Sequence, residues 1–223
     1  MFRINIAIMS PMPPRVKRKY DPSKRREAAA RTREAILSAA LRLFRDRGYA
    51  ATPMTAIAEQ AGVALDTVYA SAGRKPELAR LLIETAISGS SQAVPAEERD
   101  YVRAIRAAPD AETKIAIYAA AMRMIAGRLA PVLGIFQQAA PAEPELAALW
   151  REIAERRAAN MHLFVTDLAA VAALRVDLGD AADIVWATNA PELYQLLVYQ
   201  RGWTPERYEH FLADTWRRLL LAG

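Results

Sequence analysis

One stretch, TPMTAIAEQAGVALDTVYASAGRK from Thr52, constrains the fold more than any other part of the chain. Thr52 suits a helix N-cap, and Pro53 suits the first helical position because its missing N–H has no partner there anyway. Apolar residues then recur at helical spacing up to Ala61. Gly62 supplies a turn because glycine adopts left-handed backbone angles without steric cost. A second helix of about two turns follows around Val68, so the pattern predicts a helix-turn-helix.

The preceding segment predicts the third helix that two such short helices need. From Thr32 to Arg47 the chain carries an apolar helical stripe that includes Ile36 and Phe44, and Gly48 follows it. Three helices make a small domain in which the second helix of the motif is free to enter a DNA groove.

The distribution of charge favours DNA binding over the alternative, an ordinary helix-turn-helix inside a helical core. Residues 1–88 hold 16 Lys and Arg against 8 Asp and Glu, a net charge of +8. Residues 89–223 hold 14 against 17, a net charge of −3. A basic N-terminal part on a slightly acidic body is the pattern expected of a phosphate-binding module carried by a second domain.

Several linked motifs resemble one known family. They are, in chain order, AxxLFxxxGYxxT at 40–52, IAExAGV at 57–63, TVY at 67–69 and Lys-x-x-Leu at 75–78. With them, Arg31–Leu78 resembles the DNA-binding domain of the tetracycline-repressor (TetR) family of transcriptional regulators. The resemblance implies a homodimer that binds a roughly palindromic operator in double-stranded DNA. It also implies a helical C-terminal domain whose small-molecule effector releases the repressor from DNA.

The resemblance also assigns DNA-contacting positions. Those that match phosphate contacts are Thr52, Thr67, Tyr69 and Lys75. Those that match base-facing positions are Leu65, Asp66 and Ala70, and Ser71 matches either role. Two alternatives stay open: Leu65 either meets a thymine methyl or packs on a neighbouring helix, and Asp66 either accepts from a cytosine amino group or only stabilises the helix dipole.

Four positions depart from the family pattern. Ala64 stands in place of a capping Ser, Asp66 in place of Gly or a neutral residue, Ala72 in place of an aromatic, and Arg74 in place of another capping Ser. These departures predict a less rigid recognition helix. Because the helix offers few side chains that make paired contacts to a base, we expect DNA shape and dimer spacing to contribute to specificity.

The whole chain is predicted to be all-α. A basic flexible tail spans 1–26, the helix-turn-helix domain 27–88 with a connecting helix at 76–88, and a ligand-binding and dimerisation domain 99–223. The tail, with RVKRK at 15–19, is either a DNA-contacting arm or a solvated, disordered segment. Helices of the body are expected at about 99–107, 111–127, 129–139, 143–174, 180–200 and 205–222.

The body carries large soft side chains that either form plain core or line a ligand pocket. The candidates for the pocket are Tyr118, Met122, Phe136, Gln137, Trp150, His162, Phe164, Trp186 and Asn189. They include no strong cluster of charge, so a hydrophobic or aromatic effector is favoured over a highly charged one.

The last two predicted helices have broad apolar faces, which indicate either a dimer surface or burial within one subunit. The dimer candidates are Ile184, Leu193, Leu196, Leu197, Phe211, Leu212, Trp216 and Leu219. A dimer is favoured because a short recognition helix gains affinity when two half-sites are bound about 34 Å apart.

The remaining features predict no cofactor, no metal site and no catalytic residues. The chain has no cysteine, which suits a reducing cytoplasm, and its two histidines lack the spacing of a helical metal pair. The N-terminal apolar run is too short for a signal sequence or a membrane span. Two other functions stay open: a DNA-binding protein without an effector, and an all-α enzyme.

Overall fold

The computed structural model describes residues 22–90 and 94–222, and this part of the chain is almost entirely helical. The helices are, in chain order, α1 (Pro22–Arg47), α2 (Met54–Ala61), α3 (Leu65–Ala72), α4 (Lys75–Ser88), α5 (Asp100–Ala107), α6 (Ala111–Ala139), α7 (Pro144–Ala169), α8 (Leu178–Thr188), α9 (Pro191–Tyr194) and α10 (Pro205–Leu220). Short 3-10 turns cover Ala96–Glu98 and Ala140–Ala142, and a π-helical segment, Gln195–Gln200, extends α9. Within the described residues the all-α prediction is confirmed, since extended pairing is limited to one isolated bridge between Leu174 and Leu221.

The N-terminal unit consists of α1 to α3 closed against α4. Ile36 and Phe44 of α1, Ile57 of α2 and Val68 of α3 are buried in one shared core. Gly62 ends α2 with a φ of 68°, the left-handed conformation that its sequence position predicts. The turn at Gly62 therefore sets the angle at which α3 leaves α2.

Two boundaries of this unit differ from the sequence-based expectation. Helix α1 begins at Pro22, ten residues before Thr32, so residues 22–26 belong to a helix and not to a flexible tail. The rest of that predicted tail lies outside the described residues. Helix α2 begins at Met54, so Pro53 takes the N-cap position and Thr52 precedes the helix.

Helix α6 is the central helix of the body. It packs against α4, α5, α9 and α10, and α7 pairs with α8. The sequence predicts a break before residue 129, but α6 continues through Pro131. Because Ala130, Val132 and Leu133 on either side of Pro131 are buried, core packing on both sides offsets the loss of one helical hydrogen bond.

The predicted helix at 180–200 is interrupted in the structure. Ala190 has a ψ of 133°, because the ring of a following proline disfavours the helical conformation of the residue before it. The chain resumes at Pro191 as α9 and the π-helical segment. The break turns Asn189 toward the interior, where it is buried.

Residues 111–142 are long and apolar enough to cross a membrane by length and composition alone. Half of the most apolar window is buried against other parts of the protein. That is the behaviour of a core helix, and it matches the position of α6 at the centre of the body.

The N-terminal unit and the body are joined by an aromatic contact and by ion pairs. Phe136 of α6 lies edge-on to Phe44 and Tyr49, with ring centroids 6.1 and 5.8 Å apart. Arg80 of α4 donates to both carboxylate oxygens of Glu152 of α7 at 2.5 and 2.6 Å. Helix α4 therefore belongs to the core of the first unit and is also tied to the second.

Candidate nucleic-acid interface and internal cavity

Helix α3 has one buried face and one open face. Val68 and Ala72 are buried against α1, α2 and α4. Asp66, Tyr69 and Ala70 are exposed on the other side, and the Tyr69 ring is 44% exposed. This open face is a surface on which a duplex can lie.

Three further predicted residues of α3 are half-buried. Thr67 and Ser71 flank the open face, and Leu65 packs against the domain core. The packing of Leu65 favours the core alternative over a contact with a thymine methyl. Ala64 occupies the N-cap without a side-chain hydrogen bond, so the helix lacks a side-chain cap as its sequence predicts.

Thr52 faces inward, which corrects the prediction that its side chain contacts a phosphate. The residue is 0% exposed. Its hydroxyl donates to the carbonyl oxygens of Gly48 at 2.8 Å and Leu43 at 3.3 Å. Thr52 therefore holds the turn after α1 onto that helix, and its hydroxyl is not available to DNA.

Lys75 is half-buried at the start of α4. Its Nζ donates to the carbonyl oxygen of Ala50 at 3.3 Å and lies 4.4 Å from the centroid of the Tyr49 ring. Burial lowers the pKa of the Lys75 ammonium, and the negative charge of Glu143 partly opposes that shift. Lys75 thus fixes the loop before α2 as well as carrying charge at the base of α3.

A cavity of about 480 Å³ lies in the body, between α4, α6 and α7, with α5 and Asn189 at its sides. Its volume is within the usual range of about 300–1,000 Å³ for small-molecule sites. Three residues predicted for a pocket line it: Tyr118, Met122 and Asn189.

These three residues form a connected cluster at the cavity wall. The Tyr118 hydroxyl lies 3.1 Å from the sulfur of Met161 and 3.3 Å from the Asn189 amide. With the amide nitrogen of Asn189 donating to the carbonyls of Val185 and Trp186, at 3.1 and 3.2 Å, its oxygen accepts from that hydroxyl. Burial raises the pKa of the Tyr118 hydroxyl above its ordinary value, so it remains a neutral donor.

Phe164 lies behind this cluster. Its ring centroid is 4.3 Å from that of Tyr118, and Trp216 stacks on the same tyrosine at 5.3 Å. Phe164 lines a neighbouring cavity that shares Tyr118 and Asn160 with the first. It therefore supports the wall of the main cavity from outside.

The remaining pocket candidates lie outside the main cavity, which corrects their assignment. Phe136 is used in the contact between the two units, and Gln137 donates to a carboxylate oxygen of Glu192 at 2.6 Å. Trp150 packs on the core, His162 is exposed, and Trp186 lies on the outside of α8 at 37% exposure. The residue type alone therefore did not distinguish these positions from those that line the cavity.

The predicted dimer residues divide into three groups. Leu212 and Trp216 are fully buried within the protomer, and Trp216 Nε1 donates to the Thr188 hydroxyl at 2.7 Å, so neither is free to meet a partner. Leu196 and Leu219 are 49% and 44% exposed. The other four are partly buried against the protomer core: Ile184, Leu193, Leu197 and Phe211.

Sequence reasoning missed the polar lining of the cavity. Beside the apolar residues, the wall carries Asn160 and five arginines: Arg33, Arg80, Arg99, Arg156 and Arg157. In the sequence, Arg156 and Arg157 of α7 look like part of an ordinary solvated helix face. Only the packing of α7 against α4 and α6 shows that they line a cavity. Within the described ranges, no group of three or more His, Cys, Asp or Glu side chains could hold a metal ion.

Part of the N-terminal unit matches the model of one known family. Residues 36–82 match the family model described as "Bacterial regulatory proteins, tetR family". No curated protein matches the chain.

Several solved structures share the fold over most of the chain. The SmeT–triclosan complex has a TM-score of 0.67 at 18% identity, over 86% of this chain and 92% of that one. NalD, the secondary repressor of the MexAB-OprM multidrug efflux pump in Pseudomonas aeruginosa, has a TM-score of 0.66 at 20% identity, over 88% and 99%. A putative transcriptional regulator from Saccharomonospora viridis in complex with choline has a TM-score of 0.63 at 16% identity, over 86% and 98%.

Proposed function

From the match of residues 36–82 to the model of the tetR family of bacterial regulatory proteins, we propose that the whole chain is a DNA-binding transcriptional regulator and not an enzyme. The chain acts as a homodimeric, cytoplasmic repressor that binds a palindromic operator through α3. A small molecule in the cavity between α4, α6 and α7 releases it from DNA.

The open face of α3 is the observation that carries the DNA-binding proposal. Its exposed ring at Tyr69 and its small neighbour Ala70 allow the helix axis to approach a groove closely. The flanking Arg74 is exposed and adds positive charge, although Glu77 pairs with it at 3.1 Å. Phosphate attraction then supplies affinity, and the few base contacts supply specificity.

DNA selection tests this proposal. Operators are selected from random duplexes with the purified protein, and binding is then followed by fluorescence anisotropy as salt is varied. We expect one palindromic consensus and a binding constant that falls steeply with salt. If no duplex binds at low ionic strength, the proposal is wrong.

The dimer proposal rests on the exposed apolar side chains near the C-terminal end. Leu196, Leu219 and Tyr199 are among the large apolar side chains exposed there, with Tyr199 at 55% exposure. We expect sedimentation to give twice the protomer mass, and Leu196→Glu to weaken both self-association and operator binding. If Leu196→Glu lost operator binding but remained a dimer, operator binding would not depend on this dimer surface.

The effector proposal rests on the cavity and its position. Its lining includes Arg80, Leu81 and Glu84 of α4, the helix that also closes the N-terminal unit. A ligand that changes the distance between α4 and α7 would therefore change the orientation of α3. The triclosan and choline complexes among proteins of this fold add support for a small-molecule site.

The alternative, a DNA-binding protein without an effector, makes a different prediction. A ligand that binds only the folded protein raises its melting temperature by mass action. A thermal screen with small aromatic compounds should therefore find a stabilising compound that also releases the operator. A stabilising compound without effect on DNA binding would favour the alternative.

A further inference from the structure

The charge of the cavity wall is unbalanced. Its lining residues include five arginines and one glutamate, Glu84. Two of these arginines already have carboxylate partners: Arg156 with Glu84 at 2.5 Å and Arg80 with Glu152 at 2.5 Å. The other three, Arg33, Arg99 and Arg157, form no ion pair within the described part of the chain.

Arg157 is the most constrained of the three. Its guanidinium carbon lies 4.3 Å from the centroid of the Trp186 ring, and its Nη2 donates to the Trp186 carbonyl oxygen at 3.1 Å. Both contacts hold the guanidinium in place and neither neutralises its charge. Burial lowers the pKa of the Arg157 guanidinium, and the negative charge of Glu192 partly opposes that shift.

Arg99 adds a second donor at the side of the cavity. Its Nε is buried and has no hydrogen-bond partner among the described residues. A buried N–H without an acceptor costs free energy, and an acceptor brought by a ligand would recover it. A guanidinium presents several N–H donors in one plane, a geometry that matches the oxygens of a carboxylate.

Much of the wall formed by α6 and α7 is apolar. Met122, Ile125 and Leu129 of α6 face Met161 and Ile153 of α7 across the cavity. Such a wall favours an apolar body, because transfer of apolar surface out of water is favourable.

We infer that the effector is an amphipathic anion: a flat or ring-bearing apolar body with one negatively charged oxygen-bearing head group that pairs with Arg157, with Arg99 as a further donor. The inference rests on the proposed role of this cavity as the effector site. It refines the sequence-based expectation of a hydrophobic effector by adding one negative charge.

Three probes of nearly equal shape test the sign of the charge: biphenyl-4-carboxylate, the neutral biphenyl-4-carboxamide and the cationic biphenyl-4-ylmethylammonium. Their affinities for the full chain are measured by calorimetry without DNA. We expect the carboxylate to bind at least tenfold more tightly than the amide, about 1.4 kcal/mol at 25 °C, and the ammonium to bind least.

Two test variants and one control show which arginine gives the carboxylate its advantage over the amide. Arg157→Met keeps an unbranched apolar stem and removes the guanidinium charge, so the advantage of the carboxylate over the amide should fall by about tenfold. Arg151→Met is the matched control, because Arg151 lies on the same helix, is exposed and is not part of the cavity lining. Arg99→Gln serves as a second test should Arg157→Met lose helical circular dichroism.

The outcomes separate this inference from the proposed function. If the amide or the ammonium binds as tightly as the carboxylate, or if neither Arg157→Met nor Arg99→Gln changes the ratio, the inference is wrong and the effector site stands. If no probe binds to a protein that still binds its operator, the inference and the assignment of the cavity are both wrong. If the operator is not bound, the regulator proposal is wrong, whatever the probes do.

Discussion

The variant Thr52→Val tests whether the Thr52 hydroxyl stabilises the fold, as the structure indicates, or contacts DNA, as the sequence predicts. Valine has nearly the same shape as threonine but cannot donate to the carbonyl oxygens of Gly48 and Leu43, 2.8 and 3.3 Å from the Thr52 hydroxyl. A buried acceptor left without its donor costs about 1–3 kcal/mol. With a urea dependence of roughly 2 kcal/mol per M, the unfolding midpoint should fall by roughly 0.5–1.5 M.

DNA affinity should stay the same in this variant, because the removed hydroxyl points into the protein. Tyr69→Phe is the matched control: it removes one hydroxyl from a side chain that is 44% exposed on the open face of α3. We expect Tyr69→Phe to keep its unfolding midpoint and to lose roughly fivefold in operator affinity, about 1 kcal/mol. Urea titration and fluorescence anisotropy at 15 °C measure both quantities.

The opposite pattern would refute the reasoning. If Thr52→Val weakens operator binding severalfold while its unfolding midpoint is unchanged, the hydroxyl contacts DNA and the inward orientation is wrong.

Three further predictions follow from the contacts. Phe136→Ala should destabilise the protein by about 3–5 kcal/mol in urea titrations, because it opens a cavity where the two units meet; a change below about 1 kcal/mol would contradict that packing. A double-mutant cycle of Arg80→Met and Glu152→Gln should give a coupling of only about 0.2–1 kcal/mol that decreases with salt, because both side chains are partly exposed; a larger, salt-independent value would show a buried pair. Burial raises the pKa of Tyr118, so its contribution to stability is complete below pH of about 10 and is lost as the pH rises further, where the unfolded chain releases the proton. Tyr118→Phe should therefore flatten the fall of the urea midpoint above that pH, and an equally steep fall would count against the burial of this hydroxyl.

Local sequence patterns were sufficient to predict much of the structure of the N-terminal unit. The left-handed turn at Gly62 and the buried stripe from Ile36 to Phe44 depend on residues close together in the chain. The open face of α3 also follows from helical spacing once Val68 is taken as buried. The absence of a side chain able to cap α3 at Ala64 can be read directly from the residue type.

Local patterns failed where a long-range partner decides the role of a side chain. Thr52 resembles a surface cap in the sequence, but the carbonyl oxygens of Gly48 and Leu43 take its hydroxyl. Trp216 fits the apolar face expected of a dimer, but Thr188 and Tyr118 surround it within the same protomer. Neither neighbour can be inferred from spacing within one helix.

By itself, the sequence determined that the described part of the chain is helical, where its basic unit lies and which face of the short helix α3 is open. These properties depend on interactions over three or four residues and on summed charge, both of which are present in the order of the amino acids. Tertiary structure alone decided which side chains line the cavity and that Arg157 lies there with no ion pair among the described residues. The physical reason is that the cavity joins residues from Arg33 of α1 to Pro191 of α9, and their distances exist only after the helices have packed around α6.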